Sequence, residues 1–592
     1  MSFDMMFLLI ILLAMFAVLI FEVARPDMVI FSVLIILLLF GILTVDEALS
    51  GFSNEGMLTV ALLFIMAGTV QKSGLIDQMM EKWLRNSRTL TGSMIRFFVP
   101  ISAFSAFLNN TPIVVTFTPI IKKWCKEHGI APSKFLIPLS YATILGGMIT
   151  LMGTSTNLVV HGLMIDFGLE GFSLFTLAGV GIPVAVAGLI YLFTIGHKLL
   201  PDNKGLDQRM KEDFKAYIAE MHVTQDFKFH NVCVEQAGLR DLKGLYLIEI
   251  IRGDERISPV TSKSVIQRGD RLIFTGLIST IAELQKVKGL ELETGTNRAL
   301  DHLKDGSAKL VDAVVSDQSS LLYKSIKQLK FRSQYDAGIV AVHRNNERIR
   351  SKIGDIILKP GDSLLLLAGT DFVEKYQHSN DFFVVSSLDT PAALKQSGKK
   401  GWFSIMMLIA LIVTVTMGWL SMFKAAALAV MVLLMTKIIT PQEAKKYIHF
   451  HVLLLIASSF GIGVAMRKTG LAESIANGLL GFGESLGLVA ILFMIYILTN
   501  LFTEMITNSA AAVMMLPIGI EMAHTLAVDP IGMAVLITIA ASASFITPIG
   551  YQTNLIVYGP GGYKFTDYVK VGLPLSLIVM MTSILMIYHI WF

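Results

Sequence analysis

The chain has 592 residues, 54% of them hydrophobic, with a mean hydropathy of +0.64 and a formal net charge of +4. That length exceeds one globular core, and the hydropathy assigns much of the chain to a membrane body. So small a charge excludes a nucleic-acid surface as the organising feature, and two isolated cysteines, Cys125 and Cys233, exclude a disulfide scaffold or a thiolate metal site.

Apolar stretches predict helices over residues 5–21, 28–45, 58–70, 136–152 and 167–194, then over 403–420, 425–435, 452–464, 486–498, 531–545 and 573–590. The first opens at Phe3 without a basic leader, which reads as an anchored helix and not as a removed signal peptide. Several stretches fall short of the ~20 residues a straight span needs. These are broken by glycine, proline or polar residues, the pattern of interrupted helices and re-entrant hairpins around a protein-buried cavity. Lys122, Lys123 and Lys126 and the basic residues of 197–211 and 395–400 read as membrane-flanking charge. The positive-inside bias puts both edges of the central segment in the cytoplasm of a cell (inner) membrane protein.

Between the apolar halves the character turns soluble, giving expected boundaries of 1–199, 200–294, 295–400 and 401–592. The two central parts resemble each other 92 residues apart. Residues Leu245–Arg252 align with Ala337–Arg344, and Gln267–Phe274 with Lys359–Leu366. Each part reads as a small α+β module, with Asp270 and Asp362 capping the turn into a strand. Both resemble the TrkA C-terminal domain, which implies pairing and a small regulatory ligand of unknown identity. No Gly-x-Gly-x-x-Gly fingerprint precedes either copy, so no organic cofactor is expected.

A polar sentence recurs across the two halves. Asn109-Asn110-Thr111 is followed by Gly153-Thr154-Ser155-Thr156-Asn157, and Thr507-Asn508-Ser509 by Thr547, Gly550 and Gln552-Thr553-Asn554. Asn110 and Asn508 are 398 apart, Asn157 and Asn554 are 397 apart, and Gly74-Leu75 and Gly470-Leu471 are 396 apart. This register predicts a polytopic α-helical membrane protein built from two related halves, with a soluble α+β insert dividing the copies. Helix breaks free backbone amides for anions and carbonyls for cations, and the neutral oxygens of these residues suit Na+ beside an oxyanion. The sodium ligands expected are Asn110, Ser155, Asn157, Asn508, Thr553 and Asn554. Capping or helix packing explains any one of these residues, but not two matched sets. Glu504, one turn before Asn508, is a candidate for coupling, and its counterpart is Ala106. His161 and its counterpart Tyr558 read as polar wall residues.

These paired motifs resemble those of the divalent anion:Na+ symporter family, over residues 28–195 and 403–590. Asn109 stands where a serine is typical. The resemblance implies a two-fold inverted-repeat transporter, a homodimer in the lipid bilayer that moves a small inorganic or organic dianion, sulfate foremost, with sodium by an elevator-type displacement. Dicarboxylate symport, Na+/H+ exchange and arsenite-type transport in the same superfamily are the alternatives, and a membrane-tethered sensor is another. No nucleophile elbow, phosphate loop or metal cluster points to an enzyme.

Overall fold

A computed structural model describes the chain apart from residues 1, 21–23, 74–89, 204–217, 240–244, 277–287, 293–307, 388–398 and 484–486, and a few further positions in loops of the central segment. Gly74-Leu75, the basic residues 204–211, Lys395 and the 294/295 boundary lie outside the described residues.

The first half comprises α1 (Phe3–Ile20), α2 (Pro26–Leu39), α3 (Val45–Leu49), α4 (Glu55–Lys72), α5 (Leu90–Ser105), α6 (Asn110–Glu127), α7 (Leu136–Gly147), α8 (Ser155–Asp166) and α9 (Ala178–Tyr191). The second comprises α10 (Lys399–Thr416), α11 (Met422–Met435), α12 (Pro441–Tyr447), α13 (Phe450–Lys468), α14 (Leu471–Gly483), α15 (Leu488–Met505), α16 (Asn508–Thr525), α17 (Pro530–Ser542), α18 (Gln552–Tyr558) and α19 (Phe565–Trp591). Among the described residues five helical stretches are long and apolar enough to span a bilayer, including Phe450–Lys468 and Phe565–Trp591.

The structure corrects several boundaries. The stretch 136–152 is helical only to Gly147, and 167–194 becomes helical only at Ala178. Helices α5, α6, α14 and α16 were not among the apolar stretches. Helix α6 buries Asn110, Thr118 and Lys122, so neighbouring protein and not lipid covers its polar positions.

Starts repeat between the halves with the same chemistry. Thr44 and Glu47 form a capping box at α3, and Thr440 and Glu443 form another at α12. Glu47 pairs with Lys468 at the end of α13, and Glu443 pairs with Lys72 at the end of α4. The contact is reciprocal, as across a two-fold axis, and each capping box meets the far end of the other half's long helix. Helices α4 and α13 therefore run antiparallel. The same exchange orders the packing: α2 lies on α13 and α11 on α4, while α8 lies on α16 and α18 on α6.

In the central segment the strands are β1 (Ile218–Val223), β2 (Val232–Cys233), β3 (Leu245–Arg252), β4 (Glu255–Ile257), β5 (Val265–Ile266), β6 (Arg271–Gly276), β7 (Leu290–Leu292), β8 (Ala308–Val315), β9 (Ala337–Arg344), β10 (Glu347–Arg348), β11 (Ser363–Gly369) and β12 (Phe382–Ser387). Ten of them form two five-stranded antiparallel sheets of matching order, β4-β3-β6-β1-β7 and β10-β9-β11-β8-β12, and β2 pairs with β5. Each has its own apolar core, around Phe274 in one and Leu366 in the other. Asp270 accepts from the Gln267 amide at 2.7 Å and Asp362 from the Lys359 amide at 2.9 Å, the expected turn caps. Each also holds an arginine, Arg252 Nε at 2.9 Å and Arg344 Nε at 2.8 Å, a duplicated ion pair not foreseen.

The second module docks on the membrane body. Lys122 Nζ lies 3.0 Å from Asp312 Oδ2, with side-chain exposures of 7% and 1%. This replaces the reading of Lys122 as membrane-flanking charge: the lysine belongs to a buried interdomain pair. The turn at Gly361 abuts Leu555, and a Cβ on Gly559 would sit 2.1 Å from Ser363 Oγ, so α18 and the insert approach at backbone distance.

Candidate functional site

Four helices, α6, α8, α16 and α18, begin at the polar motifs, and their first turns carry amides with no intrahelical acceptor. At the α5–α6 turn Asn110 Oδ1 accepts from Ser105 Oγ at 2.6 Å, and Ser105 also reaches the Thr143 carbonyl at 2.9 Å. At the α15–α16 turn Asn508 Oδ1 accepts from Thr503 Oγ1 at 2.9 Å, and Thr503 reaches the Ala541 carbonyl at 2.5 Å. The two clusters are the same construction in the repeat register.

The helix breaks match as well. Asn157 Nδ2 donates to the carbonyls of Gly147 and Thr150 at 3.0 and 2.8 Å. Asn554 Nδ2 donates to those of Ser544 and Thr547 at 2.9 and 3.1 Å. The Thr150 hydroxyl donates to the Ala106 carbonyl, and the Thr547 hydroxyl to that of Glu504. Each asparagine thus ties together the unwound backbone that would otherwise lose its pairing in a dry interior. At Gly153 a Cβ would sit 2.4 Å from the Gly147 carbonyl oxygen, so the first break closes only around glycine.

The two halves meet through their tips. Thr111 Oγ1 donates to Gln552 Oε1 at 3.1 Å, and Asn110 Nδ2 donates to the Tyr551 hydroxyl at 3.1 Å. Asn109 and Ser155 face a cavity of about 20 Å³ between the first break and Val60, Phe64 and Met66 of α4. That is room for about one water-sized group. Thr507 caps α16 on the Ala510 amide at 3.4 Å, Gly550 donates to Thr547 Oγ1 at 3.0 Å, and Ser509 is buried at the same tip.

Partners differ between the breaks. Ser140 Oγ lies 2.8 Å from Thr553 Oγ1 and 2.7 Å from Asn554 Oδ1, so the second asparagine is fully engaged. Asn157 Oδ1 and Thr156 Oγ1 are buried without a hydrogen-bond partner. Two uncommitted oxygens in a dry site carry a desolvation cost that a hard cation would relieve. Glu504 Oε1 and Oε2 accept from the Ile546 and Thr547 amides, each at 2.8 Å, so this carboxylate braces the second break. His161 Nδ1 accepts from the Phe172 amide at 2.9 Å, which gives that ring a role in the α8–α9 connection. Sequence reasoning missed Ser105, Thr503, Ser140 and Tyr551. The signals were there: Ser105 and Thr503 share the 398-residue register, and Ser140 is a polar residue in an apolar helix.

A multi-pass helical body whose duplicated, broken helices gather buried neutral polar groups between its halves is a membrane transporter. The chain belongs to the citrate transporter (CitMHS) family, whose match spans residues 16–540. It is 34% identical to a Chlamydomonas reinhardtii protein named as a sulfur deprivation response regulator, covering 95% of this chain and 97% of that one. It is 25% identical to sodium/sulfate cotransporter 1 of the same alga, covering 92% and 84%. Among solved structures it is similar to the Alcanivorax borkumensis YdaH transporter, with a TM-score of 0.43 and 13% identity over 92% of this chain and 87% of that one. The chain is a transporter of this type and not an enzyme.

Proposed function

We propose that the protein is a sodium-coupled symporter of a small divalent oxyanion, with sulfate as substrate. The observation that carries this reading is the pair of matched asparagine-tied breaks, one of which leaves Thr156 Oγ1 and Asn157 Oδ1 buried and unsatisfied. An all-oxygen, uncharged donor set suits Na+, and bound cations in turn offset a dianion received by helix N-terminal amides and neutral side chains. Asn110, Ser155, Asn157, Asn508, Thr553 and Asn554 are the cation ligands in this reading, with Asn109, Thr111, Gly153, Thr154, Thr507, Ser509, Thr547, Gly550 and Gln552 completing the site. Glu504 serves coupling by holding the second break in shape.

The antiparallel pairing of α4 with α13 supports an inverted repeat, and α5–α6 and α15–α16 are its re-entrant hairpins. The site-bearing helices then shift against α2, α4, α11 and α13 in an elevator-type cycle, within a homodimer in the cell membrane. The insert lies on the cytoplasmic side, where its two modules act as TrkA C-terminal-like regulatory domains with a small ligand. Relatives named as sodium/sulfate cotransporters support the substrate class. The family description, citrate transporter, favours a second reading in which the substrate is a carboxylate.

Uptake of radiolabelled sulfate into proteoliposomes decides between them. Sodium-gradient-dependent accumulation, competed by thiosulfate and not by citrate or succinate, is the expected result. Competition by citrate alone selects the carboxylate reading, and indifference to sodium together with proton movement rejects sodium symport. Asn157→Ala and Asn554→Ala should each abolish accumulation.

A further inference from the structure

Tyr551 stands between Gly550 and Gln552 in the second polar motif, and it sits where the two halves touch. It is the residue before α18, in extended conformation, and its hydroxyl accepts from Asn110 Nδ2 at 3.1 Å. The same hydroxyl lies 3.5 Å from Thr154 Oγ1, a residue 397 positions earlier. That separation is the repeat register itself, so Tyr551 and Thr154 are counterparts of each other, and counterparts meet only at the axis relating two halves. The axis therefore passes between a phenol and a threonine.

The inequality has chemical consequences. Because the phenol oxygen already accepts from Asn110, its own O–H is the group left to donate, and 3.5 Å to Thr154 is a weak engagement. On the opposite side Thr154 is too short to repeat the contact. Asn508 uses its Oδ1 on Thr503 and Ser544, while its amide nitrogen donates to no group among the described residues. One side of the axis is thus filled by an aromatic ring ending in a donor, and the other keeps a free amide donor beside a small side chain. A phenol and a carboxamide, one from each half, are neutral donors suited to the oxygens of a compact tetrahedral oxyanion. The ring takes volume that an extended dicarboxylate needs for its second carboxylate.

We infer that Tyr551 is a substrate-contacting selectivity residue, donating its phenol hydrogen to a compact oxyanion and excluding longer dianions by its ring. The inference rests on the oxyanion-symport reading above. Its test is sodium-driven uptake by reconstituted full-length protein, with separate KM and kcat for sulfate and for succinate and a sodium half-activation value. Tyr551→Phe keeps the ring and removes the hydroxyl; a hydrogen bond to a charged group is at stake, so sulfate KM should rise about 10- to 100-fold, with sodium half-activation unchanged. Tyr551→Thr makes the axis symmetric and should shift the sulfate-to-succinate preference by about 10-fold towards succinate. An unchanged sulfate KM in Tyr551→Phe, or a fall in kcat alone, overturns the contact, because a merely structural tyrosine would act that way. An unchanged preference in Tyr551→Thr overturns the size filter. If the wild-type protein takes up no sulfate under a sodium gradient, it is the symport reading that fails.

Discussion

Lys122 and Asp312 are 190 residues apart in sequence and join the membrane body to the second module, so replacing either separates two parts of the molecule that fold on their own cores. At 3.0 Å and an effective dielectric near 20, the attraction between the charges is about 5 kcal/mol. Burying both ions to 7% and 1% exposure costs several kcal/mol each, so the intact pair contributes little net stability. Breaking it is different: Lys122→Met takes the neutralising ammonium from a buried carboxylate and should weaken the docked state by about 3–5 kcal/mol, whereas Lys122→Met with Asp312→Leu should return it close to wild type. Hydrogen exchange in detergent or nanodiscs reads this directly. Amides of β8 and β11 should lose protection on the order of 100-fold or more in the single variants, and recover in the double. Wild-type protection in Lys122→Met, or a double variant no better protected than the singles, refutes the argument that this pair holds the insert in place.

Three further outcomes follow from the same geometry. The reciprocal braces are partly exposed, so Lys72→Glu should cost less than about 1 kcal/mol in thermal unfolding and be rescued by the swap with Glu443→Lys. The hydrogen bond from Lys72, then that from the Thr440 amide, holds Glu443 at about 2, below its usual 4.5. This folded-state depression makes the contribution of that brace complete above pH 4.5 and lost as pH falls towards 2, a loss absent in Glu443→Gln. Asp362→Asn removes the carboxylate that joins Arg344 to the turn, and should destabilise the second module by about 1.5–3 kcal/mol, with Asp270→Asn acting alike on the first; thermal unfolding measures both. Gly559→Ala places a methyl 2.1 Å from Ser363 Oγ, so it should expose β11 to proteolysis, and Ser363→Ala in the same chain should relieve part of the effect.

The polar turns were legible because membrane interiors tolerate few polar residues, so Asn110, Asn157, Asn508 and Asn554 stand out against apolar helices, and the register that aligns them also aligns their hydrogen bonds. The twin sheets were legible for a similar reason, since alternation and Gly-Asp turns recur at a fixed offset. Helices α6 and α16 escaped because hydropathy reports contact with lipid, and their polar positions are covered by protein. Lys122 was misread because charge beside an apolar run has two explanations, and only its partner 190 residues away separates them. Tyr551 escaped for the opposite reason: a lone aromatic in an apolar membrane sequence looks like core, and its hydroxyl gains meaning only once Asn110 and Thr154 are beside it.

The duplicated architecture explains why the differences between copies carry the function. Residues that keep the breaks closed are matched: Asn157 with Asn554, Ser105 with Thr503, Thr150 with Thr547. A site made only of matched parts would present the same face to both sides of its axis and would receive two similar charges equally. The unmatched residues remove that equality. Glu504, opposite Ala106, places a carboxylate on the amides of the second break alone. Ser140 satisfies Asn554 while Asn157 Oδ1 stays free. Tyr551, opposite Thr154, fills one side of the axis. In the proposed sodium-coupled cycle, an already satisfied second break and an unsatisfied first one would give cations unequal affinities at the two positions. In the sodium-symport reading a binding order then follows: Thr156→Ala at the first break should raise sodium half-activation more than its counterpart Thr553→Ala does at the second. Equal shifts in the two variants would mean that the unmatched residues do not divide the labour between the halves.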